Sequence, residues 1–306
     1  MKFRKATEEL CHIQASDKGL LEIQTTKIPF DRRFELAAAH NGEVLLACGG
    51  RDQRGFLSAV SFVQTKGKEP KLVSPLPFPR ARHAATTTAD GRFIVVGGVT
   101  EDTDGSLVLA REVLTYDPRT DHWKEIAKLP LRTAQLVAEQ VDGKLVVIGG
   151  DTGTTTEPGR PIAPARCRAE VQILDLSTGK WHRGMPKPTP ETGVTSAVLD
   201  GEIFVCSSYP DDGEVRAQVE VYNVKANSWR RIPDMPTPRT GVACGFIKGK
   251  LYCINGQGVD LNPVSVVEVY DPSTDKWDTV SQGPASYIGQ GYANFENRIF
   301  LVGGKE

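Results

Sequence analysis

Short apolar runs separated by polar turns recur along the whole chain and predict a protein built from β-strands. Each run holds four or five hydrophobic residues and ends in two glycines or in a small polar pair, as at Gly97-Gly98. In the six copies, the first residue of that pair stands at positions 49, 97, 149, 207, 255 and 303. A period of about fifty residues that is repeated six times indicates six structural units.

Each unit has the same order of predicted elements. A tight turn such as Asp90-Gly91 accepts the positive φ that joins two antiparallel strands, which we call a and b. A third strand, c, ends in a residue such as Tyr116, and a tryptophan follows seven residues later on a fourth strand, d. All four tryptophans occupy that position: Trp123, Trp181, Trp229 and Trp277. We expect these aromatic side chains to pack between neighbouring sheets rather than to bind a cofactor.

The strand count predicts how the two ends of the chain meet. After Gly303-Gly304 only two residues remain, so the sixth unit has strands a and b but lacks c and d. The segment from Cys11 to Ile23 has the spacing of a c–d hairpin, with Ile13 and Leu20 in the positions of the tyrosine and the tryptophan. We therefore expect the N-terminal strands to complete the last unit and close a ring, which removes exposed sheet edges.

The glycine pair followed by tyrosine and tryptophan resembles the kelch repeat, and the resemblance covers essentially the whole chain. It implies an all-β fold: a six-bladed kelch β-propeller of four-stranded antiparallel blades, closed by N-terminal c and d strands completing the C-terminal blade. Residues 1–306 then form a single kelch β-propeller domain, with residues 1–9 as an N-terminal arm. In the kelch fold, strand a of each blade lines a central channel.

Composition and charge narrow the class of partner. The 37 basic and 38 acidic side chains nearly cancel, so we expect no general attraction to nucleic acid or to a membrane. The N-terminus lacks the apolar core of a signal peptide, which favours a cytoplasmic location. The six cysteines have no metal-ligand spacing and are expected to be free thiols. Neither a metal site nor a cofactor is predicted.

Candidate ligand-binding residues lie on the face that carries the b–c and d–a connections, which we call the loop face. The b–c connections vary greatly in length, as binding loops on a rigid scaffold do. The longest, 151–168, is interpreted as an exposed insert, with a lid over the channel as the alternative. The d–a connections are rich in arginine, which binds carboxylates through two parallel hydrogen bonds. The candidates are Arg33, Arg80, Arg82, His83, Arg132, Glu191, Arg239 and Tyr287.

Two functions fit this face. The first is an intracellular kelch-repeat binding module that captures a protein or peptide partner, an acidic one in view of the arginines. The alternative is an enzyme of the epimerase, isomerase or lyase type that acts on an anionic small molecule in the central channel. It rests on a resemblance to kelch-type sialic-acid epimerases. No catalytic motif is found, which favours the binding module, and His83 is the one histidine proposed as an acid or base. Arginines at the start of strand a also fit a structural role in holding neighbouring loops.

Overall fold

The computed structural model describes residues 9–15, 21–27, 33–52, 57–65, 68–152, 166–211, 213–260, 262–283 and 289–304. Within these ranges the chain forms 28 β-strands. No helix in the described part is long and apolar enough to cross a membrane. Most of the predicted N-terminal arm, the segment 153–165 of the predicted insert, and Tyr287 lie outside the described residues. The extent of the domain stays a prediction.

The strands fall into blades in chain order. The first two, β1 (Glu9–Ala15) and β2 (Leu21–Lys27), form a hairpin. The first continuous blade contains β3 (Phe34–His40), β4 (Val44–Arg51), β5 (Ser61–Thr65) and β6 (Lys71–Val73). The second contains β7 (Ala84–Thr87), β8 (Phe93–Val96), the small hairpin β9 (Val99–Glu101) and β10 (Leu107–Leu109), β11 (Glu112–Asp117) and β12 (His122–Lys128).

The remaining blades repeat this arrangement. The third has β13 (Val137–Val141), β14 (Lys144–Ile148), β15 (Val171–Asp175) and β16 (Trp181–Arg183). The fourth has β17 (Thr195–Leu199), β18 (Glu202–Ser208), β19 (Arg216–Asn223) and β20 (Ser228–Ile232). The fifth has β21 (Arg239–Thr240), β22 (Ala243–Ile247), β23 (Lys250–Ile254), β24 (Gln257–Gly258), β25 (Val266–Asp271) and β26 (Lys276–Gln282). The last strands are β27 (Gly291–Phe295) and β28 (Arg298–Val302).

The sixth blade joins the two ends of the chain. Its strand order is β2-β1-β28-β27, and β1 pairs with β28 in antiparallel register from Leu10 opposite Val302 to Gln14 opposite Arg298. The other five four-stranded sheets are built from consecutive segments of the chain. The prediction of a six-bladed propeller closed by N-terminal c and d strands is therefore confirmed.

The register of the closing hairpin corrects one detail of the prediction. Ile13 lies opposite Ile299, which is the tyrosine position of the other blades, as expected. Across the hairpin, however, Ile13 faces Ile23. Ile23 therefore takes the place that was assigned to Leu20, which lies outside the described residues. Ile13 and its partner Ile23 are ten positions apart in the sequence, against seven for Tyr116 and Trp123, and this displaces the pairing.

The hydrophobic core lies between adjacent blades. Six apolar clusters of buried side chains each combine strands of two neighbouring blades. The aromatic pairs reinforce these interfaces: Trp123 stacks against Tyr116 and donates its indole N–H to the carbonyl oxygen of Ser74, in the preceding blade, at 2.9 Å. Trp229 and Trp277 make the equivalent bonds at 2.8 Å. The predicted packing role of these aromatic residues is confirmed.

The glycine pairs bring the d–a connections close to the ends of the b strands. Gly98 has a φ of 88°, and a Cβ there would collide with the carbonyl oxygen of Ala81. Without that atom, Ala81 and Val99 exchange backbone hydrogen bonds of 3.1 and 2.9 Å. The pairs therefore fix the loop face to the blades and leave the first residues of strand a at the rim of the channel.

Candidate functional site at the channel mouth

Six equivalent residues, each at or just before the start of a strand a, form a ring at the channel mouth. All have a φ between 52° and 66°, the left-handed region: Glu35, Arg82, Gln135, Gly193, Gly241 and Gly289. The backbone N–H of Glu35 donates to Gly289 at 2.6 Å, and Arg82 donates to the carbonyl oxygen of Glu35 at 2.9 Å. Gln135 donates in the same way to Arg82 at 2.9 Å. These bonds link successive blades, so the three long side chains are held at fixed positions around the mouth.

Two arginines share one carboxylate on one side of this ring. Glu35 accepts from Nε of Arg82 at 3.0 Å and from a terminal nitrogen of Arg51, the residue that follows the first glycine pair, at 2.6 Å. The side chains of Arg51 and Arg82 keep 29% and 26% of their surface exposed, and that of Glu35 keeps 20%. This cluster is therefore in contact with solvent and accessible to a partner.

The neighbouring side of the mouth carries a buried carboxylate. Asp151 accepts from the Gln135 amide at 3.0 Å and from the Thr192 hydroxyl at 2.6 Å. Asp151 is 1% exposed, so its charge lies below the surface of the mouth. The accessible charges at this position are consequently the two guanidinium groups and the one carboxylate that they share.

Three of the predicted ligand-binding residues lie inside the blades. Arg80 and Arg239 are 0% exposed and pair with Glu112 at 3.2 Å and Glu268 at 2.5 Å. Glu191 is buried against Lys187, which also contacts Glu220 at 2.6 Å. In each case a d–a connection is tied to strand c of the same blade. None of the three lines the channel.

The other candidates have different surroundings. His83 lies in the channel wall, where its Nε2 is 3.6 Å from the sulfur of Cys48. Burial and the charge of Arg80 lower its pKa to about 3, so the imidazole is neutral at physiological pH. Arg132 is exposed, and Arg33 is half-buried with its carbonyl oxygen bonded to the backbone of Gly304. Tyr287 lies outside the described residues.

The channel itself holds a carboxyl group that the sequence prediction missed. The channel has a volume of about 330 Å³ and is lined by strand a residues of the blades. Within it, Glu139 accepts hydrogen bonds from the Ser196 hydroxyl at 2.7 Å and the Thr86 hydroxyl at 3.5 Å. Burial raises the pKa of Glu139 to about 7, so near neutral pH this carboxyl group can hold or release a proton. The Tyr292 hydroxyl lies beside it and accepts from the backbone N–H of Ser196 at 2.7 Å.

Apolar side chains are exposed on the same face as the mouth. Phe78 belongs to a d–a connection and keeps 49% of its surface exposed. Tyr209 and Val259 belong to b–c connections and keep 38% and 68%. An apolar surface beside accessible charges is typical of protein-binding faces, in which aromatic residues and arginine are enriched.

Comparison with known proteins identifies the class. Two family models described as Kelch motif match residues 132–188 and 238–284, and residues 192–236. A solved structure described as "Structure of YjhT" superposes with a TM-score of 0.77 over 89% of this chain and 90% of that one, at 15% identity. That likeness concerns the fold alone. The chain belongs to the kelch-repeat β-propeller family, whose members commonly serve as protein-interaction modules.

Three curated relatives illustrate the range of this family. Human Kelch repeat and BTB domain-containing protein 12 is 32% identical over 193 residues, 59% of this chain and 30% of the relative. Alpha-scruin of Limulus polyphemus is 28% identical over 166 residues, which are 53% of this chain and 17% of that relative. N-acetylneuraminate epimerase 1 of Escherichia coli is 26% identical over 125 residues, which are 40% of this chain and 33% of that relative. The matches span a third of these relatives or less, so they carry no whole-protein activity to this chain.

Proposed function

We propose that this propeller is a protein-binding module and that it captures an acidic segment of its partner at the channel mouth. The observation that carries the proposal is the pair of accessible guanidinium groups, Arg51 and Arg82, that share the single carboxylate of Glu35. Glu35 accepts from one nitrogen of each guanidinium group, although the buried carboxylate of Asp151 also acts on the charge of Arg82. Guanidinium groups bind carboxylates with well-defined geometry, so a partner's Asp or Glu is the complementary group.

Glu35 acts as an internal competitor in this arrangement. An incoming carboxylate has to share or displace Glu35 to bond both arginines. Removing the Glu35 charge frees the two guanidiniums without taking away any donor. Removing Arg82 takes away a donor. The two substitutions therefore have opposite effects on the affinity for an acidic partner, whereas a role of the cluster in folding alone gives neither effect.

The apolar side chains around the mouth supply the second part of the contact surface. Phe78 and Tyr209 are large and exposed, and aromatic side chains have few rotatable bonds, so ordering them on binding costs little. A partner segment that combines an acidic side chain with an apolar one matches this surface. We place the interaction in the cytoplasm as part of the same proposal.

The test combines capture with point substitutions. Partners are isolated from native lysate by affinity capture and identified by mass spectrometry, and the affinity of the mapped partner segment is measured by calorimetry. We expect Glu35→Gln to strengthen binding, and Arg82→Gln and Phe78→Ala to weaken it by several-fold. Leu72→Ala is the matched control, because Leu72 is exposed on the outer strand d of the first blade. Equal affinities for all four variants and the unsubstituted protein would rule out this site.

A second candidate function is supported by Glu139. A carboxyl group with a pKa of about 7, placed in a channel of about 330 Å³ beside the Ser196 and Tyr292 hydroxyls, is suited to acid–base chemistry on a small molecule. The named substrate of the epimerase relative, N-acetylneuraminate, is an appropriate first probe. Interconversion of its epimers is followed by NMR. Acceleration that disappears in Glu139→Gln would support this function, and a rate equal to that in buffer would exclude it for this substrate.

A further inference from the structure

Three thiols from two neighbouring blades meet in the core beside the channel. Cys206 lies on β18 of the fourth blade, and Cys244 and Cys253 face each other across β22 and β23 of the fifth. The Cys244 and Cys253 sulfurs are 3.3 Å apart, and all three sulfurs lie within 4.8 Å of one another. Each residue is 0% exposed and free of disulfide bonding. The spacing of these cysteines in the sequence matches no metal motif, because the propeller brings together strands of successive units.

The positions of the sulfurs suit a metal ion bound by three thiolates. A sulfur ligand lies about 2.3 Å from such an ion, which places three sulfurs around it at about 4 Å from each other. The Cys244–Cys253 sulfur distance of 3.3 Å and the upper limit of 4.8 Å for all three sulfurs fall on either side of this value. Small changes in side-chain rotation therefore suffice to bring all three sulfurs to bonding distance, with no movement of the strands.

The surroundings select the kind of ion. Thiolates are soft ligands and favour monovalent copper or zinc. Zinc in structural sites takes four ligands, almost always in a tetrahedron. Here the described side chains offer three sulfurs and, next to Cys244, the Thr195 hydroxyl, which is 3.4 Å from that sulfur. The other neighbours in this cluster are apolar, including Phe204, Val219 and Val242. Monovalent copper accepts three soft ligands in such a dry pocket.

The charged groups beside the three thiols and the position of the thiols next to the channel are also compatible with a bound ion. The Arg239 guanidinium, which is paired with Glu268, donates to the carbonyl oxygen of Cys253 at 3.1 Å, so a charged pair lies beside the thiols. Cys244 belongs to the channel lining, which gives an ion a route from the mouth. We propose that Cys206, Cys244 and Cys253 form a binding site for one monovalent copper ion. Each thiol that coordinates the ion releases its proton to the solvent, and no oxidation or reduction is involved.

The test uses the full-length, reduced protein and monovalent copper supplied from a chromophoric chelator under anaerobic conditions. We expect the protein to take one copper ion per chain from the chelator, with thiolate-to-copper absorption in the ultraviolet. X-ray absorption at the copper edge should show three sulfur neighbours. Cys206→Ser, Cys244→Ser and Cys253→Ser should each lower the affinity at least tenfold. Cys48→Ser is the matched control, a buried thiol of the first blade, and should bind copper as the unsubstituted protein does.

A second measurement needs no substitution and so does not depend on whether the variants fold. The unsubstituted protein is partly unfolded in denaturant with and without copper, treated with an alkylating reagent, and digested for mass spectrometry. Copper should slow alkylation of Cys206, Cys244 and Cys253 more than that of Cys11 and Cys48, because coordination adds to the general protection that binding gives to every buried thiol. Equal protection of all cysteines, or copper uptake that survives in all three variants, would overturn the proposal.

Discussion

Arg80 and Arg82 stand two residues apart in one d–a connection, yet they have opposite surroundings. Arg80 is 0% exposed and points into the second blade, where it bonds the backbone and the carboxylate of Glu112. Arg82 has a left-handed backbone, faces the mouth and keeps 26% of its side chain exposed. The first arginine ties a connection to its blade, and the second is available to a partner.

The same contrast between buried and exposed cations is found in other blades, and it explains why arginine content alone does not define a binding site. Arg239 with Glu268 repeats the arrangement of Arg80 in the fifth blade, and Lys187 with Glu220 provides it in the fourth. The position of Arg82 is instead taken by glycine in three of the six blades. In an extended segment, residues two apart point to the same side. The left-handed backbone at Arg82 interrupts that pattern, so local backbone conformation determines whether a charge supports the fold or faces solvent.

The largest effect is expected for the most deeply buried pair. Arg239→Ala leaves the carboxylate of Glu268, itself 0% exposed, without its cation, and loss of one partner of such a pair typically costs about 3–5 kcal/mol. Arg80→Ala should cost less, because the side chain of Glu112 is 24% exposed and can be hydrated. Arg82→Ala at the mouth should cost about 1 kcal/mol or less. The free energies of unfolding are measured by denaturant titration.

A second substitution distinguishes two possible causes of the instability of Arg239→Ala, an uncompensated charge and lost packing. If the cost comes from an uncompensated charge, adding Glu268→Gln to Arg239→Ala should recover a large part of the lost stability. A double variant as unstable as the single one would show that Arg239 acts through packing alone. Equal losses for Arg239, Arg80 and Arg82 would contradict the distinction between the blade interior and the mouth.

Glu139 is the contrasting case: it is a half-buried carboxyl group bonded to hydroxyls instead of to a cation. Burial raises its pKa from 4.5 to about 7, so the folded protein keeps this proton where the unfolded chain releases it. The contribution of Glu139 to stability should therefore fall as the pH rises from about 4.5 to about 7 and be constant above that. The expected change is on the order of 2–3 kcal/mol.

The substitution Glu139→Gln isolates the contribution of Glu139 to the pH dependence of stability. The imidazole of His83, with its pKa lowered to about 3, contributes in the opposite direction, since its stabilisation is lost as the pH falls below the ordinary value of 6.5. The quantity to follow is therefore the difference in unfolding free energy between the variant and the unsubstituted protein. That difference should increase in favour of Glu139→Gln between pH 5 and 7. A difference that does not change with pH would show that Glu139 titrates normally.

Repetition made the fold predictable from the sequence. Six copies of one pattern gave independent support for each element, and the missing strands after Gly303-Gly304 led directly to the closure by β1 and β2. The detail that failed, the position of Leu20, belongs to one of the two blades that lack both the tyrosine and the tryptophan. With no repeated residue to align, the length of that turn was not determined by the pattern.

The site was less predictable, because it depends on side-chain direction within irregular connections. Arg80, Glu191 and Arg239 were grouped with Arg82 because they occupy the same connections, although only Arg82 reaches the mouth. A signal for Glu139 was nevertheless present in the register of the repeats. At the strand a position that faces the third residue before the glycine pair, the six blades carry Ala39, Thr86, Glu139, Ala197, Gly245 and Ala293. One carboxylate among five small residues marks a departure from the structural pattern.

The smallest effect concerns the backbone of the ring itself. Arg82 has a φ of 57°, a conformation that costs a residue with a Cβ about 1 kcal/mol and costs glycine little. Arg82→Gly loses the ion pair with Glu35 but relieves this strain, whereas Arg82→Ala loses the ion pair and keeps the strain. We therefore expect Arg82→Gly to be the more stable of the two by about 0.5–1 kcal/mol, the reverse of the usual preference for alanine over glycine.

Gly241→Ala provides the matched control for that reversal. Gly241 occupies the equivalent ring position with a φ of 64°, and nothing lies within 4 Å of the place where its Cβ would stand. Its substitution should therefore cost about 1 kcal/mol from backbone strain alone. Gly193→Ala should cost more, since its Cβ would lie 2.7 Å from the Thr240 hydroxyl. If Arg82→Ala proved more stable than Arg82→Gly while Gly241→Ala was destabilised, the backbone at position 82 would carry less strain than the equivalent backbone at Gly241, which would contradict the prediction.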